Sequence, residues 1–164
     1  MRKLAVLIMA VVILSGCAGT EVFETVTDSQ LEAEAVEPAE IRLDLPEESV
    51  LPAMESENGK LYLCGDYDVL VQTLPAGDLD ATIRTVSGYG REDLTLVHTQ
   101  DEGVDRYEFV WTMAGELGQQ IGRATILDDG RYHYVVSASI DASRIEEYQE
   151  VWNGIFESYH LIPY

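Results

Sequence analysis

Basic residues are scarce in this 164-residue chain, where ten lysines and arginines face 30 aspartates and glutamates for a formal charge of −20. Such a surface repels polyanions, which excludes nucleic acid as a partner and a basic patch as the means of holding a membrane. Cysteine is scarcer still, at Cys17 and Cys64 alone. No apolar run reaches the about 20 residues that a membrane-crossing helix needs; Leu4 to Leu14 spans eleven. After residue 16 there is no G-x-S-x-G, H-E-x-x-H or S-x-x-K, so the familiar nucleophile and zinc-hydrolase arrangements are missing. Gly88-Tyr89-Gly90 lacks the third glycine and the following helix of a dinucleotide loop, and reads as a helix terminator.

The short apolar run is informative in its own right. Arg2 and Lys3 precede it, which is the pattern of a secretory signal peptide over residues 1–16. It ends in Leu14-Ser15-Gly16-Cys17, which resembles the lipobox of bacterial lipoproteins. The resemblance implies cleavage before Cys17, acylation of Cys17 with palmitate-type chains, and a protein tethered to the extracytoplasmic face of the cell membrane. Two or more acyl chains anchor stably where one does not. Loss of Arg2 and Lys3 with the signal takes the formal charge from −20 to −22. Cys64 is then the one thiol left, in the apolar stretch Leu61-Tyr62-Leu63-Cys64. It has no disulfide partner in the chain and is expected to be buried and inert.

Aromatic residues are unevenly spread. Residues 18–59 hold twelve acids, the single base Arg42 and the single aromatic Phe23, whereas all nine tyrosines and both tryptophans follow Lys60. A segment with little apolar surface and high charge cannot offset its chain entropy. Residues 17–40 are therefore expected to be an acidic, disordered spacer, with a reach of about 25–30 Å. Residues 41–164 are expected to form one domain.

In that domain Ile41-Arg42-Leu43-Asp44-Leu45 alternates with period two and reads as a first strand. Strands follow at Leu61–Cys64 and Tyr67–Leu74. A short helix is capped by Asp78, carries the stripe Leu79, Ile83, Val86 and ends at Gly88. A four-stranded meander is expected over Leu94–Gln100, Val104–Met113, Gln119–Leu127 and Arg131–Ser139. Its glycine-ended turns Asp101-Glu102-Gly103 and Asp128-Asp129-Gly130 suit three-residue loops. That register places Tyr132, Tyr134, Val136 and Ala138 on one inner face with Gly122, Ala124 and Ile126, and places Tyr107, Phe109, Trp111 and Met113 on the same inner side. A terminal helix, begun by a capping box at Ser143 and Glu146, presents Ile145, Tyr148, Trp152, Ile155, Phe156 and Tyr159 to that face. Gly122 and Ala124 are expected to make room for Trp152 or Tyr148.

The predicted class is α+β, an antiparallel meander covered by a C-terminal amphipathic helix, with a short helix after the second or third strand. This order of elements, over Ile41 to Tyr159, resembles the PsbP/Mog1-like fold. The resemblance carries no catalytic signature and implies an accessory or binding role rather than an enzyme.

Candidate chemistry is sparse. His98 and His133 are expected on the outer sheet face, paired with Arg106 and Thr125 and about 14 Å apart, too far to share an ion. His160 is expected on a flexible tail. The acidic turns do not match a calcium loop, and Asp-Gly is what tight turns require anyway. No catalytic, cofactor or metal residues are therefore assigned. The outer face is expected to expose Arg106, Glu108, Arg123, Thr125 and His133, and an envelope protein, peptide or other envelope component is expected to bind through that face or through a groove beside the short helix. Two other readings stay open: a small-molecule or divalent-cation binder, and a carboxylate-dependent hydrolase whose paired acids sequence does not reveal.

Overall fold

The computed structural model describes residues 36–46, 51–115 and 118–162. The signal segment, Cys17 and the spacer up to residue 35 lie outside the described residues. From Glu37 onward the chain forms one compact unit.

Its centre is a seven-stranded antiparallel sheet. The strands are β2 (Met54–Ser56), β3 (Gly59–Leu63), β4 (Tyr67–Pro75), β5 (Val97–Asp101), β6 (Val104–Gly115), β7 (Gly118–Asp128) and β8 (Tyr132–Asp141). They lie in the order β2-β3-β4-β8-β7-β6-β5, so the expected meander closes beside β4. β1 (Glu40–Arg42) does not join this sheet. It pairs instead with β9 (His160–Ile162), which places His160 opposite Arg42 rather than on a flexible tail. The fold takes hold of the chain before β1, because the Ala39 N–H donates to Tyr134 Oη at 2.9 Å.

Helix α1 (Leu79–Ser87) forms where its signals predict. The Asp78 carboxylate accepts the Asp80 N–H, and Gly88 at φ 80° closes the last turn on the Arg84 carbonyl. Helix α2 (Ile145–Ser158) starts differently from its predicted capping box. Asp141, not Ser143, caps a short 3-10 turn (Ala142–Arg144), and α2 continues from it without a side-chain cap.

Register is where the structure departs from the sequence pattern. Asp101 pairs directly with Val104, leaving a two-residue turn with positive φ at both Glu102 and Gly103, the hairpin geometry that matches strand twist. His98 is therefore opposite Tyr107, not Arg106, and stacks on its ring at 4.6 Å. At the other hairpin Asp128 pairs with His133, so the loop between paired residues has four members. The Asp129 carboxylate holds it open, accepting the Arg131 and Tyr132 N–H groups at 2.8 and 2.7 Å. Even loop length reverses the predicted side-chain facing. Tyr134, Val136 and Ala138 share a face with Leu127, Thr125 and Arg123.

The sheet consequently has two inner faces. On one, Tyr67, Val69, Val71, Tyr134, Val136 and Ile140 pack under Trp152, Ile155 and Phe156 of α2. On the other, Phe109, Trp111, Ala124, Ile126 and Val135 pack under Ile83 of α1. Gly122 makes room for Trp111 on the α1 side, not for Trp152 or Tyr148.

Candidate functional site

The five residues expected to form one exposed outer strip do not do so. Arg106, Glu108, Arg123 and Thr125 share a face, because β6 and β7 pair Arg106 with Leu127, Glu108 with Thr125 and Val110 with Arg123. That face is the one α2 covers. Thr125 is fully buried and donates to Glu108 Oε1 at 3.3 Å. Arg106 donates to the same oxygen at 3.0 Å and reaches the carbonyls of Phe156 (3.0 Å) and Tyr159 (3.5 Å). Those carbonyls end α2, which has no base in its last turn and no left-handed glycine after it. Arg106 supplies from the sheet the donors that such an end requires. Arg123 donates to Asn153 Oδ1 at 2.9 Å, and its guanidinium lies 4.4 Å from the centre of the Phe156 ring. The polar strip is thus a seam that docks α2.

His133 sits on the opposite face and is 1% exposed. Its Nδ1 lies 2.8 Å from Thr82 Oγ1 of α1, and its Nε2 lies 3.4 Å from Asp128 Oδ2. Hydroxyl, imidazole and carboxylate stand in a row, the order of a nucleophile relay. The cavity beside α1 is lined by Asp78, Asp80, Ala81, Arg84 and Thr85 and includes neither Thr82 nor His133. The arrangement satisfies a buried histidine and ties α1 to the sheet.

Two of the acids at the β4–β8 end of the sheet, Asp66 and Asp141, are also committed. Asp66 accepts Tyr148 Oη–H, and two Arg144 donors at 3.0 Å, and these hold its carboxyl below the usual range. Asp141 is held low by Ser143. Among the described residues no group of three or more His, Cys, Asp or Glu is placed to hold a metal ion.

The sequence assigns no residues to the groove expected beside the short helix; the structure has an apolar shelf beside α1. β2, β3 and β4 align Met54 with Leu61 and Leu61 with Leu70, and Leu63 follows one step along the same face. This is the face that α1 covers further along the sheet, but the α1 core takes in β6, β7, β8 and the Leu74 end of β4, and leaves β2, β3 and the rest of β4 outside it. Met54 is 67% and Leu63 57% exposed, while Leu61 and Leu70 are half-buried. A hollow of about 220 Å³ opens between Met54, Leu61, Leu70 and Gln72. The period-two spacing of Leu61 and Leu63 was visible in the sequence; which strands α1 would leave bare was not.

A sheet sandwiched between a short and a long helix places the protein among α+β folds built on an antiparallel meander. The particular fold is PsbP/Mog1-like. The chain is similar to cyanobacterial PsbP (CyanoP) from Synechocystis sp. PCC 6803, with a TM-score of 0.50 at 10% identity over 78% of this chain and 96% of that one. It also aligns with LpqN, involved in cell envelope biogenesis of Mycobacterium tuberculosis (TM-score 0.48, 12% identity, 77% of this chain and 87% of that one). A third alignment is with the Saccharomyces cerevisiae Ran-binding protein Mog1p (TM-score 0.45, 9% identity, 75% of this chain and 90% of that one). No family model and no curated relative matches the chain.

Proposed function

We propose that this chain is a non-catalytic binding module, held by lipid on Cys17 at the extracytoplasmic face of the cell membrane, that docks an envelope protein or peptide on the shelf of β2, β3 and β4. The lipobox-like Leu14-Ser15-Gly16-Cys17 supports the anchor. The observation that carries the binding role is the exposure of Met54 and Leu63 in one row with Leu61 and Leu70. Contiguous apolar surface next to a covered core is what interaction sites present. The polar seam of Arg106, Glu108, Arg123 and Thr125 serves this role indirectly, by fixing α2 and so the sheet whose far wing stays open.

Photo-crosslinking in cells tests the reading. A crosslinker in place of Met54 or Leu63 is expected to trap a protein adduct that one at Glu150, on the exposed side of α2, does not. Labelled palmitate is expected on the chain and absent from Cys17→Ser. Adducts equal at all three positions would sink the shelf as a docking site.

A further inference from the structure

The shelf has a chemical asymmetry that narrows its occupant. Asp68 pairs with Leu63 across β3 and β4 and so stands on the same face as the apolar row. Among the described residues its side chain has no hydrogen bond or ion pair, unlike that of Asp66 two positions earlier, and partial burial raises its carboxyl above the usual range. Lys60, the base on the β2–β3 hairpin, borders the same hollow, but its register turns it towards the other face and Glu55 holds it at 3.2 Å. Arg144 is held by Asp66 and Glu147. The chain as a whole carries −20. An acidic partner or an anionic lipid surface is repelled here, and a neutral one leaves Asp68 without a mate.

We infer, resting on the docking role proposed above, that the shelf takes an amphipathic partner segment whose apolar side chains cover Met54, Leu61, Leu63 and Leu70 and whose lysine or arginine pairs with Asp68. Helix-in-groove recognition has this form, with apolar anchors along one side and a charge at the rim fixing register. The apolar row supplies affinity, and the Asp68 pair selects against acidic segments.

The test uses the full chain in zwitterionic lipid nanodiscs and three labelled synthetic peptides with one leucine–methionine stripe, flanked by lysine, serine or glutamate. Fluorescence anisotropy is corrected against empty nanodiscs. The lysine peptide is expected to bind best. Met54→Ser and Leu63→Ser should each weaken it more than tenfold, as loss of a central anchor does. Asp68→Asn should weaken it about fivefold, the upper range for a partly exposed pair, and added salt should mimic that loss. Equal binding of the lysine and glutamate peptides, with both lost in Met54→Ser, overturns the charge selection while leaving the shelf as a docking site. Lysine-peptide binding that ignores Met54→Ser and Leu63→Ser overturns the inference as non-specific attraction. Crosslinks from position 54 to nanodisc lipid, with no peptide bound, overturn it in favour of a membrane surface. Failure of all three peptides together with no protein adduct from position 54 in cells overturns both the inference and the docking role.

Discussion

Replacing Gly122 by alanine tests the two-faced packing of the sheet at its tightest point. Gly122 pairs with Trp111 on β6 and with Ser139 on β8. A methyl group there would overlap Cε2 and Cζ2 of the Trp111 indole and lie 2.8 Å from Cη2. Carbon atoms rest at about 3.5–4.0 Å, so the ring must retreat by more than about 1 Å. It has nowhere to go, since Trp111 is buried against Phe109, 5.7 Å away between ring centres, under Ile83. Overpacking of this kind costs about 1–3 kcal/mol. Alanine would otherwise favour the strand by about 0.5–1 kcal/mol, so the net loss should lie between about 0 and 2.5 kcal/mol. Urea unfolding followed by tryptophan fluorescence reads this as a lower midpoint at unchanged slope. Trp111→Leu should destabilise by itself, yet in its presence Gly122→Ala should become neutral or stabilising, a coupling of about 1–3 kcal/mol. A single Gly122→Ala variant clearly more stable than the parent, or coupled instead to Trp152→Leu, would refute the assignment of Gly122 to the α1 face.

Three further outcomes follow from the same structure. Arg106→Met removes the charged donors at the end of α2 and leaves Glu108 to the Thr125 hydroxyl and to Arg123 at 3.9 Å, so stability should fall by about 1.5–3 kcal/mol, with Arg106→Lys recovering only part; equal stability of all three proteins in urea would remove the seam role. Gly154 is exposed within α2 with open space around an added Cβ, so Gly154→Ala should stabilise by about 0.5–1 kcal/mol, read as a higher melting temperature. Burial and the Asp129 carboxylate push Tyr134 up to about 12, and burial pushes Tyr159 the same way. Both folded phenols hold protons that unfolded tyrosine gives up near pH 10. Their contribution is therefore complete below about pH 10 and lost as pH rises towards 12, so tyrosinate absorbance for these two should appear only with unfolding. Full ionisation of all nine tyrosines in a chain that stays folded would contradict it.

The legible parts of this protein were those set by local chemistry. Asp78 and Gly88 bracket α1 because a side-chain cap and a left-handed glycine work within one turn of chain. The α2 stripe of Trp152, Ile155 and Phe156 repeats at helical spacing whatever lies opposite. The order of strands and helices sufficed for the fold. The facing of the strands was not legible, because it turns on whether a loop holds an odd or even number of residues. At Asp129 that number depends on one carboxylate gathering two N–H groups. A clue was present in the unbroken run Tyr134-Val135-Val136, since a strand covered on both faces loses its alternation. Read as one-sided, that strand misplaced Arg106, Glu108, Arg123, Thr125 and His133 together.

By itself, then, the sequence determined the acidity, the element order and each helix's apolar stripe, all of which depend on residues near one another in the chain. Tertiary structure alone decided which side of the sheet each helix takes. It made Arg106 a helix cap and His133 a buried tie, and it left Met54 and Leu63 exposed, with Leu61 and Leu70 half-buried, beside an Asp68 whose side chain has no partner among the described residues. Those outcomes depend on where α1 ends relative to strands far away in sequence, and a helix of nine residues covers only part of a seven-stranded sheet.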